Sequence, residues 1–325
     1  MLVTIDQAKK MIEANEILLI AGDENSVEKL PNGRWIGGTI PYFMNVDGGI
    51  STKEKVFVNN ISEYVNDVKI DFYNEENLKN IAKDAPENGF TIIIIPATSK
   101  VHISYAENVA NYDQIFMKPI IGWISGVHLD DLGKITPKVF NGVTGEKSEN
   151  KTVVLHASLA SDKWAVIGII NIFRQGKGDS IQFETNGFSI KECLINGDKT
   201  NFADYIVKNK IDTKLPLVAN YSGSMVNVSI QAVDEKNKIV NLYAPVFKNV
   251  EYKFAFPVKN YVKEFMKQMP GEKITPIFSC NCILNYLYSE LEGKKRSNIT
   301  GPMTFGEIAY QLLNQTLTYL EIKDV

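Results

Sequence analysis

Hydrophobic residues recur along the chain at two spacings, and each spacing predicts its own kind of element. A helix is predicted near the N-terminus, where one helical face carries Ile5, Ala8, Met11 and Ile12. Thr4 and Gln7 have the spacing of a capping box, which places the start of this helix at Thr4. The apolar run Ile17–Ala21 that follows is typical of a strand, and the polar residues GDEN close it.

The most apolar segment of the sequence is TIIIIPA, residues Thr91–Ala97. A continuous apolar run indicates a strand buried on both faces, and therefore a central strand in a sheet that helices cover. Strand-like and helix-like segments alternate throughout the rest of the chain, so the sequence predicts an α/β or α+β fold. We expect a two-part mixed-sheet architecture with flanking helices, divided near Gly197–Asn201, where a turn leads into a helix.

Composition narrows the class of protein further. The chain has 325 residues, of which 44% are hydrophobic and 22% charged, and its formal net charge is -3. This balance is that of an ordinary globular protein, and the lack of a basic excess argues against a nucleic-acid partner. Only three cysteines are present, which favours a reducing cytoplasm. No apolar run approaches the roughly 18 residues of a membrane span, so no membrane partner is expected.

Cysteines and histidines are the first candidates for chemistry. Cys280 and Cys282 form a Cys-x-Cys pair, but no further ligands stand at zinc-site spacing, so we interpret both as buried, small apolar side chains and expect no metal and no cofactor. His156 lies in the alternating segment TVVLHASL and is interpreted as a hydrogen-bonded strand histidine rather than a triad member. His128, beside two aspartates, is interpreted as part of a solvated turn.

Complete catalytic motifs are missing from the sequence. It contains no phosphate-binding loop of the G-x-x-x-x-G-K-[ST] type, no H-E-x-x-H pair and no G-x-S-x-G elbow. The segment GGTIPYF lacks the third glycine of a dinucleotide-binding fingerprint. We therefore expect that the protein is not an enzyme.

The last forty or so residues resemble the C-terminal half of FIST domains, a family of sensory, small-ligand-binding modules found in bacteria and eukaryotes. That family ends with a Cys after a strand, a helix containing Glu, a Thr-aromatic-Gly-Glu-Ile turn and Asn-x-Thr before the last strand. Here FSCNCILNYLYSELEGKK, GPMTFGEI and LNQTLTYLEI are similar to those parts, and WIGGTI and KPIIGWISG are similar to segments of the N-terminal half. The resemblance implies a FIST N-like domain over residues 1–200 and a FIST C-like domain over residues 201–325.

The sequence also departs from the FIST pattern. The residues after Cys280 are Asn281, Cys282 and Ile283, where the family usually has an Arg. Leu313 stands where the family has a His before Asn-x-Thr, and Pro302 where it has an aromatic residue. These differences bear on any anionic ligand that would need the Arg.

The resemblance implies a small-ligand-binding sensory module that takes part in signal transduction and has no output domain of its own. Its ligand would be a small polar metabolite such as an amino acid, held in a cleft between the two halves, and its output would pass through a separate signalling protein or through oligomerisation. The ligand-binding residues implied by the resemblance are Gly37, Gly38, Thr39, Gly122, Cys280, Asn281, Gly301, Thr304, Gly306 and Glu307.

Two other functions stay open on the sequence. Some FIST-like proteins are associated with haem, so the resemblance allows a haem-based gas sensor with His102, His128 or His156 as the axial ligand. A hydrolase on an α/β scaffold is the second alternative and requires a nucleophile and a base in one cleft.

Glu307 is the one acid in the turn-rich stretch that precedes the last predicted strand. Its carboxylate has two interpretations. It either contacts a cationic or hydrogen-bond-donating ligand, because an ionised carboxylate only accepts hydrogen bonds, or it holds neighbouring backbone N–H groups of the turn.

Overall fold

The computed structural model describes residues 1–221, 223–268, 274–294 and 299–325. Strand makes up 43% of the protein and helix 18%, so the predicted mixed α/β class is confirmed, with fewer helices than strands. In the described ranges no helix has both the length and the apolar character that crossing a membrane requires.

The first 170 residues hold most of one compact unit. The helices are α1 Ile5–Glu13, α2 Glu24–Val27, α3 Ile81–Asp84 and α4 Lys100–Asn108. The strands are β1 Leu2–Thr4, β2 Leu18–Gly22, β3 Trp35–Thr39, β4 Tyr42–Asn45, β5 Gly48–Ser51, β6 Lys55–Asn60, β7 Asp67–Tyr73, β8 Gly89–Pro96, β9 Ile120–Ser125, β10 Val139–Asn141, β11 Glu146–Ser148, β12 Thr152–Ser158 and β13 Lys163–Ile170.

The elements after residue 170 fall into two groups. The middle of the chain contains β14 Ile181–Gln182, β15 Gly187–Ile190, β16 Glu192–Ile195, β17 Asp198–Asn201, α5 Phe202–Lys208, β18 Leu217–Tyr221, β19 Ser224–Val228, β20 Ile230–Asp234, β21 Ile239–Val246, β22 Tyr252–Phe254 and α6 Tyr261–Gln268. The last part contains β23 Phe278–Cys282, α7 Ile283–Tyr288, β24 Gly301–Thr304, β25 Glu307–Ala309, β26 Gln311–Leu313 and β27 Leu317–Asp324.

Two compact units result, and one is inserted into the other along the chain. Unit 1 comprises Met1–Ile170, Met269–Leu312 and Thr316–Val325, and unit 2 comprises Asn171–Gln268 with Leu313–Gln315. The predicted boundary near Gly197–Asn201 does not separate these units. Residues of β17 pair with β16 from Glu192↔Asn201 to Ile195↔Asp198, so this segment is a hairpin inside unit 2.

Unit 1 contains three six-stranded sheets. Sheet 1 has the order β1-β6-β2-β3-β10-β11, sheet 2 has β26-β25-β9-β8-β12-β7, and sheet 3 has β13-β27-β23-β24-β4-β5. Each sheet contains one parallel pair, namely β2 with β3, β8 with β9, and β23 with β24. The prediction for TIIIIPA is confirmed, because β8 lies between β9 and β12 and all its residues are buried.

The packing of helix α1 follows from its sequence pattern. Thr4 and Gln7 form both hydrogen bonds of the predicted capping box. Ala8 and Ile12 are buried in a cluster that also contains Leu18, Ile20, Val27, Trp35, Val56 and Phe140. The predicted apolar face of the helix therefore covers one side of sheet 1.

Unit 2 contains a second, smaller set of sheets. Its six-stranded sheet has the order β17-β16-β14-β22-β18-β19, and its three-stranded sheet has the order β15-β21-β20. An apolar cluster of this unit consists of Ile172, Phe173, Val218 and Ala255, with partly buried neighbours such as Phe265.

Gly122 in β9 lies against the backbone of the neighbouring strand β8 in sheet 2. A Cβ atom built on Gly122 would lie 1.7 Å from the carbonyl oxygen of Ile93 in β8. Backbone atoms cannot move away as the end of a flexible side chain would, so only glycine fits at this position.

We expect Gly122→Ala to lower the free energy of unfolding by more than about 3 kcal/mol, because the added methyl group overlaps backbone in a buried sheet. Urea unfolding followed by circular dichroism measures this change. Gly178→Ala is the matched control, since a Cβ there meets nothing within 4 Å, and it should stay within about 1 kcal/mol of the wild type. Equal effects of the two substitutions would contradict the packing argument.

Candidate functional site

The ten residues implied as ligand-binding all lie in unit 1. They are Gly37, Gly38 and Thr39 in β3, Gly122 in β9, Cys280 and Asn281 in β23, Gly301 and Thr304 in β24, Gly306 in the turn before β25, and Glu307 at the start of β25.

The carboxyl group of Glu307 is fully buried and hydrogen-bonded on both oxygens. Its Oε2 accepts from the backbone N–H of Thr316 at 3.2 Å and from the Thr316 hydroxyl at 2.7 Å. Its Oε1 lies 3.3 Å from the hydroxyl of Thr304. These contacts tie the first residue of β25 to Thr316, which directly precedes β27. Of the two interpretations of Glu307, this arrangement is the one in which the carboxyl group holds neighbouring backbone N–H groups.

Burial raises the pKa of Glu307 to about 8, and hydrogen bonds from Thr316, Thr304 and Cys282 oppose this shift without cancelling it. The geometry accommodates a proton on Oε1. A protonated Oε1 donates to the hydroxyl of Thr304, which in turn donates to the carbonyl oxygen of Gly306 at 3.1 Å. The carboxyl group is therefore neutral at pH 7 and has its hydrogen bonds satisfied.

Cys280 and Asn281 belong to the same buried region. The thiol of Cys280 lies 3.3 Å from the carbonyl oxygen of Gly122 and 3.2 Å from the hydroxyl of Thr318. Burial, with the nearby Glu307, raises the pKa of this thiol well above its ordinary value, so it is not a thiolate nucleophile. Asn281 accepts a hydrogen bond from the side-chain amide of Asn285 at 2.8 Å. Cys280 and Cys282 are buried, as predicted, and Cys193 is buried as well.

Gly38 lies between sheets 1 and 2. A Cβ atom at Gly38 would come within 2.6 Å of Ile94 Cγ2 and within 3.1 Å of Trp123 Nε1. The absence of a side chain thus lets β3 pack against β8 and β9. Most of the ten residues accordingly have packing or hydrogen-bonding roles inside unit 1.

A cleft opens where strands of sheets 1 and 2 end. Its volume is about 340 Å³, counting the space that is open to solvent. Thr39 is the one residue of the ten that lines it. The lining residues are Asp23, Glu24, Asn25, Thr39, Ile40, Pro41, Gly126, Val127, Asp131 and Ile135.

One backbone hydrogen bond joins the two sheets at this cleft. Gly126 directly follows β9, and its N–H donates to the carbonyl oxygen of Thr39, the last residue of β3, at 2.7 Å. The carboxyl ends of the parallel pairs β2/β3 and β8/β9 therefore meet here. Ligands of α/β proteins bind preferentially in crevices outside the carboxyl ends of parallel strands.

Phe305 connects the turn held by Glu307 to the cleft. A Cβ atom on Gly126 would lie 2.4 Å from the ring of Phe305, so the ring packs directly on the bare glycine. The backbone N–H of Phe305 donates to the carbonyl oxygen of Ile124 in β9 at 3.1 Å. A network that contains two of the predicted residues, Thr304 and Glu307, thus supports the wall of the cleft from behind.

Ion pairs surround the cleft. Asp131 pairs with Lys53 at 2.5 Å, and this hydrogen bond lowers the pKa of Asp131. Glu24 pairs with Lys138 at 3.0 Å and with Lys147 at 2.7 Å. Partial burial acts to raise the pKa of Glu24, but the two lysines outweigh it and the pKa is lowered. Both carboxylates are therefore ionised at neutral pH, and positive charge stands beside each of them.

The sequence interpretation did not select the acids of this cleft. Asp23 and Glu24 are the polar residues that close the predicted strand Ile17–Ala21, and Asp131 is one of the two aspartates beside His128. Taken one at a time, each of these acids has the sequence context of an ordinary polar residue in a turn. The available signal was their shared position after strands, because the carboxyl ends of parallel strands lie at one edge of a sheet.

The histidines lie in separate places. His156 is buried, as predicted for a hydrogen-bonded strand histidine, with Nε2 3.1 Å from the Tyr73 hydroxyl and Nδ1 2.8 Å from the Thr91 hydroxyl. Burial lowers its pKa to about 4, so it is neutral at pH 7. His102 is buried in α4, and His128 stacks on Tyr42. In the ranges that the structure covers, no three His, Cys, Asp or Glu residues are grouped to hold a metal ion.

A comparison with protein families gives one match across nearly the whole chain. The family model described as "Family of unknown function (DUF6976)" matches residues 3–323. No curated protein and no solved structure matches the chain.

The raised pKa of Glu307 makes a prediction about stability. Between pH 4.5, the ordinary pKa, and about 8, the folded protein keeps a proton that the unfolded chain has released. The free energy of unfolding should therefore fall as the pH rises through this window, by on the order of 4 kcal/mol. Glu307→Gln removes the titration and keeps the shape, so its stability should depend less steeply on pH than that of the wild type.

Urea unfolding at several pH values between 5 and 8.5 measures this difference. Buried His156 titrates with the opposite sign in both proteins, so the difference between the two curves isolates Glu307. Exposed Glu54 provides the matched control, and Glu54→Gln should follow the wild-type curve. If the wild-type and Glu307→Gln curves run parallel, Glu307 is ionised in the folded protein and the assignment of a buried neutral acid is wrong.

Proposed function

The chain belongs to the DUF6976 family of unknown function, and we propose that it is a small-ligand-binding sensory module whose ligand occupies the cleft at Thr39 and Gly126. The observation that carries this proposal is the hydrogen bond between these two residues. It brings the carboxyl ends of two parallel strand pairs together, and the loops that follow them line a concave site.

The chemistry of the lining favours a small zwitterion such as an amino acid. Asp23, Glu24 and Asp131 offer carboxylates to an ammonium group, and Lys53 and Lys138 stand beside two of these acids. A ligand that carries both charges has complementary partners at this rim.

The contact between Gly126 and Phe305 suggests how binding is transmitted. A ligand against Gly126 presses on the strand end that Phe305 covers, and the turn of Phe305 is held by Glu307 and Thr316. Binding would stabilise one arrangement of this turn over others, which is the differential interaction that a sensor needs. The resemblance to FIST domains supports the sensory assignment, and the output through a separate signalling protein is part of the proposal.

Asp23→Asn tests the site with little effect on the fold. The Oδ1 atom of Asp23 accepts a hydrogen bond from the backbone N–H of Asn25 at 3.1 Å, and asparagine retains this cap. A ligand is first found by thermal melts of the wild type against an amino-acid and polyamine library. We expect the substitution to weaken its binding, measured by calorimetry, by roughly ten- to a hundredfold, because a charge-assisted hydrogen bond is lost.

Asp212→Asn is the matched control, because Asp212 in unit 2 makes the same kind of turn with Lys214 at 3.0 Å and does not line the cleft. It should leave the dissociation constant unchanged, and both variants should melt within a few degrees of the wild type. If no library compound shifts the wild-type melting temperature, or if both variants lose affinity equally, the cleft is not the binding site.

A further inference from the structure

Strand β13 forms one edge of sheet 3. It pairs along its whole length with β27, from Lys163↔Asp324 to Ile170↔Leu317. In the part of the chain that the structure describes, no strand pairs with its other edge. A row of backbone N–H and C=O groups along eight residues is therefore available for pairing with another strand.

The other sheet edges of unit 1 are protected against such pairing. Strands β1, β11 and β26 have three residues each and β5 has four. Strand β7 has seven residues, but Asp67, Lys69 and Asp71 alternate along it. Short edges and charged edges are the usual means by which proteins avoid edge-to-edge association. Strand β13 has neither feature, because Lys163 at its start is its single charge.

The side chains of β13 are also unusually exposed for apolar residues. Trp164 is 50% exposed and Ile169 is 47% exposed. Val166 and Ile167 between them are partly exposed. An edge strand that is long and apolar and presents a tryptophan is suited to an interface.

We propose that β13 pairs antiparallel with β13 of a second copy of this chain, about a two-fold axis that passes through Val166. This inference is independent of the proposed ligand site. We choose a second copy of the chain as the partner because of the residue pattern of β13. In one antiparallel register, the side chains of β13 are complementary to those of β13 in a second copy.

Symmetry restricts the register. A two-fold axis perpendicular to the joined sheet keeps each side chain on its own face, so residues that face each other must be an even number of positions apart. The registers with the longest overlap are centred on Val166 or on Ile167. Centring on Ile167 places Trp164 opposite Ile170, which is 4% exposed and already covered. Centring on Val166 places Trp164 opposite Gly168 instead.

In this register Trp164 of the second copy faces a glycine that an aromatic ring of its own sheet already covers. Within one copy Gly168 pairs with Tyr319 of β27, and a Cβ atom on Gly168 would lie 2.0 Å from Cζ of that ring. The tyrosine therefore lies across the glycine on the face that Trp164 of the second copy would occupy. An aromatic ring opposite a strand glycine stabilises a sheet edge, and the two rings would also pack on each other.

The charges of the strand are compatible with this pairing. Lys163 is held by Asp324 at 2.8 Å, and in the Val166 register it faces Ile169 of the second copy. The two copies of Lys163 lie at opposite ends of the ribbon, so no like charges meet. A single strand pair buries less area than a standard interface, so we expect a weak dimer whose population rises with protein concentration.

Disulfide trapping tests the register. The three native cysteines are buried, so Val166→Cys introduces an accessible thiol that faces itself across the axis. Mild oxidation of the full chain should give a covalent dimer that reductant reverses. Ile169→Cys is the matched control from the same strand, because its two copies lie far apart along the ribbon, and it should stay monomeric. Equal trapping of both variants, or of neither, would overturn the Val166 register.

Sedimentation of the uncrosslinked protein tests the dimer itself. The wild type should shift from monomer to dimer with concentration. Val166→Lys should weaken this association at least tenfold, because two lysines would then face each other at the axis. Glu321 lies beside Val166 on β27, so the monomer accommodates a lysine, and an unchanged melting temperature verifies its fold.

Ile103→Lys is the control for this substitution, since Ile103 is an exposed apolar residue in α4, and it should dimerise as the wild type does. A wild type that remains monomeric at its highest soluble concentration would refute the proposal, and binding of an extended peptide from another protein to β13 would then be the remaining use of this edge. Equal weakening by both lysine substitutions would refute it as well.

Discussion

The C-terminal part of unit 1 is held together by a carboxyl group that is removed entirely from water. Burying an ionised Glu307 without a cationic partner would be expensive, and the chain avoids this by keeping the group protonated and surrounding it with hydrogen bonds. Thr316, which directly precedes β27, and Thr304 at the end of β24 both contact it. Strands from sheets 2 and 3 are thereby fixed to one side chain.

The hydrogen bonds of Glu307 also help to determine the shape of the cleft. The turn between Thr304 and Glu307 presents Phe305, and the ring of Phe305 occupies the space above Gly126. Gly126 in turn bonds Thr39, so the edge where sheets 1 and 2 meet is held in place by residues that do not line the cleft. Several residues that the resemblance to FIST domains implies as ligand-binding, such as Thr304 and Glu307, therefore lie near the cleft but support its wall instead of lining it.

The features that were predicted correctly from the sequence are those that a local pattern of residues determines. The capping box at Thr4, the central strand at Thr91–Ala97 and the buried pair Cys280 and Cys282 were each predicted from a local pattern. The division of the chain was harder to predict, because the hairpin at β16 and β17 looks the same whether it ends a unit or lies within one. The cleft was missed since Asp23 and Asp131 become neighbours only when two parallel strand pairs meet, and no local pattern encodes that meeting.

The order of strands in sheet 3 has a consequence for how the chain is made. Strand β27 lies between β13 and β23, and the whole of β14–β22 separates those two neighbours in sequence. During synthesis β13 leaves the ribosome long before its partner exists, while the strands of unit 2 can pair with one another at once. Sheet 3 therefore cannot be completed until β27 has been made, after every numbered strand of unit 2, and the apolar β13 lacks this partner for all of that time.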